Sequence, residues 1–144
     1  MENPSTYYRK AFYFLDQLDY KRAEENFLYA DQFYAENFKL THEFHSLPEV
    51  VLSVKTEWAD CLMNLGVVYE KMNDLKKAEQ CYLKSNEIYS NSKAYYNLAV
   101  LYWNRDWSKV IEYLQSSLRL NPGNTQVQIY LDKAIYALHK SRGL

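Results

Sequence analysis

The pentapeptide Asp74-Leu75-Lys76-Lys77-Ala78 decides the fold of this chain, because the sequence repeats its pattern twice more. The other copies are Asp19-Tyr20-Lys21-Arg22-Ala23 and Asp106-Trp107-Ser108-Lys109-Val110. Each copy has an Asp, a bulky apolar residue, two mostly basic residues and then Ala or Val. A recurring unit of this kind predicts a fold built by stacking helical hairpins, a class of fold that usually binds other proteins.

The residues around the last copy predict one such hairpin. Tyr95, Leu98, Ala99 and Tyr102 recur at three- and four-residue steps, which is the spacing of one face of an amphipathic helix. Asp106 interrupts the pattern and is a natural N-cap for a second apolar run over residues 110–118. Asn-Pro-Gly at 121–123 ends that helix, because Pro cannot continue it and Gly accepts a left-handed backbone.

The middle copy matches the first helix of this hairpin after a shift of 33 positions and its second helix after a shift of 32. The matching residues are Leu62, Leu65, Gly66 and Tyr69 on the first helix and Ala78 and Tyr82 on the second. A more degenerate copy has Tyr7, Ala11 and Phe14 before its Asp and Ala23, Phe27 and Ala30 after it. These residues resemble the tetratricopeptide repeat, whose signature has Leu-Gly and Tyr on one helix and Ala, an aromatic residue and Pro on the next.

The resemblance implies an all-α, right-handed α-solenoid of about three helical hairpins plus a C-terminal capping helix. Four positions depart from the family pattern without breaking its period. Lys10 replaces Leu in the first copy, Ser90 occupies the usual Pro position, and Val110 and Leu114 replace the small residue and the aromatic residue of the last copy.

The three Asp residues are unequally spaced, 55 positions apart and then 32, so about 21 residues are inserted in the first interval. Apolar residues keep a helical spacing through most of the insert, and Ser46-Leu47-Pro48-Glu49 has the form of a capping box with Pro in the first turn. We therefore predict two helices of roughly 23 residues each that form an elongated hairpin. A short disordered insertion is the alternative.

The predicted organisation is a single tetratricopeptide domain over residues 1–144. Repeat 1 covers about 4–37, the inserted helical extension about 38–58, repeat 2 about 59–91 and repeat 3 about 92–124. Residues 125–140 are predicted to form the capping helix, because an array needs a terminal element that covers its last apolar face and presents a polar face to water. The residues expected on its apolar face are Val127, Leu131, Ala134, Ile135 and Leu138.

Composition narrows the function classes. The 17 basic and 18 acidic residues nearly cancel, so the chain lacks the field that nucleic acid or an anionic membrane would require of a partner. The polar start does not resemble a secretion signal, and no apolar run approaches a membrane span, which favours a cytoplasmic protein. Cys61 and Cys81 lie in apolar helical patterns and are expected to be buried and reduced.

In tetratricopeptide proteins the first helix of each hairpin lines a concave groove, so the resemblance implies a surface for a peptide or partner protein. The assigned residues are Tyr8, Arg9, Phe12 and Asp16 from copy one, Asp60, Met63, Asn64, Val67 and Lys71 from copy two, Lys93, Tyr96, Asn97, Val100, Trp103 and Asn104 from copy three, and Gln126, Tyr130 and Lys133 from the capping helix. Aromatic, Met and Arg side chains offer contact area, and Asn amides can bond a peptide backbone. Phe12, Val100 and Tyr130 could instead pack against a neighbouring helix.

Other functions find less support in the residues. Asn64 and Lys93 match the clamp that holds a C-terminal carboxylate in some family members, but Tyr8, Phe12 and Asn97 do not. His42 and His45 share a helix face without a fixed third ligand, so the metal signal is weak. There is no Gly-rich phosphate loop or nucleophile elbow, and we expect no enzyme and no cofactor.

Two alternatives to groove binding remain open at this point. The elongated hairpin, with Phe33, Tyr34 and Phe38 expected to be exposed, could mediate self-association into a homo-oligomeric scaffold. Small three-repeat proteins of this length also resemble chaperones for secreted clients.

Overall fold

The computed structural model describes residues 4–44 and 48–143. Within them the chain forms seven α-helices and no strand, which confirms the all-α prediction. The helices are α1 Pro4–Asp16, α2 Tyr20–Phe44, α3 Pro48–Lys71, α4 Leu75–Ile88, α5 Ser92–Tyr102, α6 Trp107–Leu120 and α7 Thr125–Ser141. They divide into two compact units, Met1–Tyr89 with α1 to α4 and Ser90–Leu144 with α5 to α7.

The Asp of each repeated pentapeptide begins the second helix of a hairpin, as the sequence predicts for Asp106. In all three copies its Oδ1 accepts a hydrogen bond from the amide three residues later, which satisfies one of the free amides of the first helical turn. The bonds are Arg22 N to Asp19 at 3.2 Å, Lys77 N to Asp74 at 3.1 Å and Lys109 N to Asp106 at 3.2 Å. Asn91 and Asn124 cap α5 and α7 in the same way.

One residue with a left-handed backbone lies in the turn before each of these Asp residues. The φ angles are 60° at Leu18, 61° at Asn73 and 65° at Asn104. Asn tolerates this conformation because its short polar side chain can bond locally, whereas a Leu pays the full steric cost of its Cβ. The first turn is therefore the strained one of the three.

In unit 1, α3 packs between α2 and α4, and small residues allow the close approach. A Cβ built on Gly66 would lie 2.5 Å from Cε1 of Tyr82, so the ring of Tyr82 fills the space that Gly66 leaves. The Tyr82 hydroxyl donates to Glu70 Oε1 at 2.9 Å, which satisfies the polar end of this fully buried side chain. Copy one carries Ala11 and Phe27 at the same two positions, and both are fully buried.

Buried hydrogen bonds join the helices of unit 1 across their packed faces. Ser85 Oγ donates to the Ala59 carbonyl at 2.6 Å and links α4 to α3. The Cys61 thiol donates to the Phe27 carbonyl at 3.4 Å and links α3 to α2. Burial raises the pKa of Cys61 above its usual value, so the thiol stays protonated and behaves as a small core residue.

The two helices that flank the insert are long, with 25 residues in α2 and 24 in α3. Trp58 of α3 packs against α2. Its Nε1 donates to Asp31 Oδ1 at 2.6 Å, and its ring centroid lies 5.8 Å from that of Phe38. Lys84 of α4 lies over the same indole at 5.7 Å. Ser46 and Leu47 of the predicted capping box lie outside the described residues.

The aromatic residues expected to be exposed on this hairpin are turned inward. Tyr34 is only 4% exposed, and its burial raises the pKa of its hydroxyl. Phe33 and Phe38 are half-buried, Phe33 stacking on Tyr7 of α1 at 5.5 Å. The expectation of an exposed aromatic patch was wrong, because α1 covers one side of α2 and Trp58 covers the other.

In unit 2, α6 packs between α5 and α7 around a core of Ala99, Val110, Leu114, Val127, Leu131 and Ala134. Ser117 Oγ donates to the Ser92 carbonyl at 3.0 Å and ties α6 to the start of α5. α7 covers α6, but its outer face is less polar than predicted. Ile135, expected on the covered face, is 36% exposed, and Ile129 and Tyr136 are 51% and 67% exposed.

None of the helices in the described part of the chain has the length and apolar character needed to cross a membrane. Both cysteines are free thiols. Cys61 is buried as predicted, whereas Cys81 is only half-buried, because it lines an open recess among α2, α3 and α4.

Candidate functional site

The residues assigned to the predicted groove fall on α1 and α3 in unit 1 and, in unit 2, on α5, on α7 and in the turn after α5, where Trp103 and Asn104 lie. Exposed positions are Arg9, Asp16, Asp60, Lys71, Lys93, Val100, Asn104, Gln126 and Lys133. Half-buried positions are Tyr8, Phe12, Asn64, Val67, Tyr96, Asn97, Trp103 and Tyr130. Met63 is buried at 9% exposure and belongs to the core, so it does not line a surface as predicted.

On unit 1, Tyr8 and Asn64 bind each other rather than pointing freely into solvent. Asn64 Nδ2 donates to the Tyr8 hydroxyl and to the Asp60 carbonyl, both at 2.9 Å. Both hydrogens of this amide group are therefore used within the unit, and Asn64 can offer a partner only its carbonyl oxygen. Burial, with the Asp60 carboxylate as a second cause, raises the pKa of Tyr8 to about 12, so its phenol is neutral at physiological pH.

Phe12 takes the packing role that the sequence left open for it. Its ring meets Phe27 edge-on at a centroid distance of 5.4 Å and Tyr8 at 4.9 Å. Arg9 lies one turn before Phe12, and its Nε donates to the Ser5 carbonyl at 3.4 Å. The α1 side of unit 1 is thus a closed aromatic cluster with a charged edge.

Unit 2 contains an open apolar pocket of about 370 Å³ among α5, α6 and α7. Its lining residues are Tyr96, Ala99, Val100, Trp103, Leu114 and Tyr130, and we call it the α5–α7 pocket. Tyr130 joins the other two aromatic rings, with centroids 5.9 Å from Tyr96 and 5.7 Å from Trp103. Val100 is 44% exposed at the rim, so the pocket is accessible from solvent.

Neighbouring side chains hold these aromatic rings in place. Trp107 at the start of α6 meets Trp103 edge-on at 4.9 Å. Lys133 Nζ lies over the Tyr130 ring at 5.6 Å from its centroid. Burial, together with the adjacent Tyr130 hydroxyl, raises the pKa of Tyr96. Trp103 and Tyr130 are therefore restrained by contacts within unit 2 itself.

A second, more polar recess of about 220 Å³ adjoins the first across Tyr96. Its lining residues are Ser92, Lys93, Tyr96, Ser117, Asn124, Gln126 and Val127. Lys93 and Gln126, both predicted groove residues, are brought together here. Asn97 and Asn104 line neither recess, and Asn104 instead supplies the left-handed turn residue before α6.

Sequence reasoning missed the contributions of Ala99, Trp107 and Leu114 to this site. Leu114 was recognisable as a departure, because it stands where the repeat pattern has an aromatic residue. A shorter side chain at that position indicates a pocket only when the residues around it are known. It also missed a recess of about 270 Å³ on unit 1, on the face of α3 opposite Asn64. Cys81 lines that recess, and burial raises the pKa of its thiol to about 12, which leaves it unreactive at neutral pH.

The two units carry opposite net charge. Residues 1–89 contain ten basic and fifteen acidic side chains, a net charge of −5. Residues 90–144 contain seven basic and three acidic side chains, a net charge of +4. The near-neutral total of the chain conceals this division, and the α5–α7 pocket lies in the positive unit.

Among the described residues, no group of three or more His, Cys, Asp or Glu side chains is placed to hold a metal ion. The weak histidine signal is not tested by that finding, because the side chain of His42 and all of His45 lie outside the described part.

Comparison with known proteins identifies the class of helical hairpin present here. Two tetratricopeptide repeat models match consecutive segments, residues 59–92 and 94–127. The C-terminal TPR-containing domain of a candidate FK506-binding protein from Plasmodium falciparum has a similar solved structure, with a TM-score of 0.71 and 21% sequence identity over 99% of this chain and 92% of that one. No curated protein sequence matches the chain.

The fold is therefore an all-α helical-repeat fold. Residues 59–92 and 94–127 are tetratricopeptide repeats, and the resemblance seen in the sequence is confirmed there. Repeats of this family generally mediate protein–protein interaction and are typically not catalytic.

Proposed function

We propose that this chain is a protein-interaction module that binds a peptide or partner protein through the first helices of its hairpins and α7. The observation that carries the proposal is the α5–α7 pocket, an open apolar recess with three aromatic walls. An open recess of this kind exposes apolar surface area to water, and such recesses are favoured binding sites.

The ordered walls of the pocket support binding over a purely structural role. Trp103 and Tyr130 are each restrained by ring contacts, so a partner would not have to bear the entropic cost of ordering them. Large aromatic side chains at the centre of an interface are also the residues most often found to dominate its binding energy. Tyr96, Trp103, Asn64 and Asn97 remain the predicted contact residues, and Asn64 has only its carbonyl oxygen to offer.

Affinity capture tests this function. The full chain is immobilised, exposed to native lysate and washed, and the retained proteins are identified by mass spectrometry. We expect one or a few proteins to be retained by the unaltered chain and lost with the double variant Tyr96→Ala and Trp103→Ala. Tyr136→Ala is the matched control, because Tyr136 is 67% exposed on the outer face of α7.

Both Tyr96 and Trp103 pack against the core of unit 2, so the double variant must be shown to fold by circular dichroism and thermal unfolding. Val100→Asp gives an independent test that disturbs the core less, because Val100 is already 44% exposed. Equal retention of the same partners by the unaltered chain and by folded Val100→Asp would show that the interaction does not use this face.

A further inference from the structure

We propose that the α5–α7 pocket binds one aliphatic side chain of the leucine or methionine class, presented by a protein segment that carries carboxylates beside that side chain. The inference rests on the proposed function and names the chemistry of the partner segment. It follows from how the pocket arises in this chain and from the charges around it.

The pocket exists because of one departure from the repeat pattern. Phe27, Tyr82 and Leu114 all lie eight residues after the Asp of their own copy, so they are equivalent positions. Phe27 and Tyr82 fill the space beside the first helix and are fully buried. Leu114 is shorter, and both it and Ala99, the equivalent of Gly66, line the open pocket.

The lining of the pocket selects the occupant. The only polar side-chain groups among its lining residues are the hydroxyls of Tyr96 and Tyr130 and the indole nitrogen of Trp103, so the lining is mostly apolar and is best matched by hydrocarbon. An aliphatic side chain entering it would contact three aromatic rings and lose much of its exposure to water, which is the favourable term in such contacts.

Charges on either side of the pocket select the residues beside that side chain. Lys93 lies one helical turn before Tyr96 and is exposed at the adjoining recess. Lys133 lies one turn after Tyr130 and is also exposed. α5 contains no acidic residue, and the one carboxylate of α7, Asp132, accepts a hydrogen bond from Gln128 Nε2 at 3.1 Å. Carboxylates on the partner segment therefore meet two cations and a unit of net charge +4.

The test is a random linear peptide library displayed on phage and selected against the full chain. We expect the enriched peptides to contain Leu or Met with Asp or Glu within two positions. The best peptide is then synthesised with a fluorescent label, and its dissociation constant is measured by anisotropy. Replacing its Leu or Met by Ala should weaken binding about tenfold or more, and raising the salt concentration should weaken it further.

Leu114→Phe is the decisive variant, because it fills the pocket with the residue that copy one carries at the equivalent buried position, Phe27. It should lower the affinity for the labelled peptide about tenfold or more. Leu120→Phe is its matched control, since Leu120 is 47% exposed on the same helix. If Leu114→Phe fails to fold, Val100→Asp takes its place.

Charge-reversal variants test whether the pocket prefers carboxylates on the partner segment. Lys93→Glu and Lys133→Glu should each lower the affinity for the labelled peptide several-fold and reduce its salt dependence. Lys140→Glu makes the same charge change ten residues past Tyr130 and should leave the affinity close to that of the unaltered chain.

Enriched peptides without the aliphatic and acidic pattern, unchanged binding to folded Leu114→Phe, or an absence of any enrichment would overturn the inference. The proposed function fails separately. If lysate capture retains partners that depend on Val100 while the peptide library yields nothing of this pattern, the chain is an interaction module with a different ligand. If neither experiment yields a partner, both proposals fall.

Discussion

The ring of Tyr82 lies where a Cβ of residue 66 would have to be, 2.5 Å from Cε1, so these two residues fix the distance between α3 and α4. Gly66→Ala should lower the free energy of unfolding by about 1–3 kcal/mol, because neither the buried ring nor the helix backbone can move away cheaply. The gain of about 1 kcal/mol in helix propensity opposes this loss without cancelling it. Chemical denaturation followed by circular dichroism measures the difference.

Two comparisons test that explanation of the Gly66→Ala result. Gly123→Ala should be close to neutral, because nothing lies within 4 Å of its Cβ position. Adding Tyr82→Leu to Gly66→Ala reproduces the Ala99 and Leu114 pair of unit 2 and should relieve the clash. An Ala at 66 that is tolerated without any loss of stability would show that the helices are not in contact there.

Leu18 offers a route to a more stable protein. Its φ of 60° places a branched, 71% exposed side chain in the left-handed region, where the other two turns carry Asn. Leu18→Asn should raise the free energy of unfolding by about 1 kcal/mol, since Asn tolerates the conformation. Thermal and denaturant unfolding measure it. The converse change, Asn73→Leu, should lower stability by a similar amount, and a loss of stability in Leu18→Asn would contradict the steric explanation.

The hydrogen bond between Trp58 and Asp31 stabilises the long hairpin of α2 and α3. Trp58→Phe should lower the free energy of unfolding by about 1–3 kcal/mol. The half-buried Asp31 carboxylate loses its hydrogen-bond donor, and the smaller ring at position 58 loses part of the indole packing. Adding Asp31→Leu to Trp58→Phe should recover part of the loss, which a double-mutant cycle measures. Strictly additive effects of the two changes would mean that the bond contributes nothing to stability.

The raised pKa of Glu70 predicts that the free energy of unfolding depends on pH. Burial raises its pKa in the folded state above the ordinary carboxyl value, although the bond from Tyr82 and the charge of Lys71 oppose the shift. A raised pKa means that the folded state holds the proton more tightly than the unfolded state. The contribution of Glu70 to the free energy of unfolding is therefore fully present below the ordinary carboxyl pKa. It is lost as the pH rises through the raised pKa of the folded state.

Glu70→Gln isolates that contribution, because Gln keeps an oxygen that can accept from Tyr82 but does not titrate. We expect the difference in unfolding free energy between Glu70→Gln and the unaltered chain to move in favour of Gln as the pH rises from 4 to 7. Denaturant unfolding at several pH values measures the difference, with Glu79→Gln on α4 as a comparison. A difference that does not change with pH would show that Glu70 has an ordinary pKa in the folded protein.

The hairpins could be predicted from the sequence because their signals are local. Asp106 and its N-cap bond, or the end of α6 at Asn121, depend on a few neighbouring residues and need no knowledge of the rest of the chain. The repeat register assigned Tyr96 and Trp103 to one surface, but it did not predict that Tyr130 of the capping helix would close a pocket with them. Burial was harder, because Tyr34 and Met63 are covered by elements distant in sequence.

The volume of the pocket could not be predicted for the same reason. Leu114 was visible as a departure from the repeat, but whether a shorter side chain leaves a cavity depends on how closely α7 approaches α5. The exposure of Ile135 shows that the angle of α7 about its own axis was also beyond a periodicity argument. Local geometry was predictable, whereas the space between elements was not.

The Asn and Asp caps divide the chain at points that matter for its evolution. Residues 91–123 begin with the cap of α5, contain the cap of α6 and stop just before Asn124, the cap of α7. A duplication or deletion of that segment would carry every signal needed to start its own two helices. The gain or loss of one whole hairpin is therefore a change that the caps of this chain permit without any new signal at the ends of the helices.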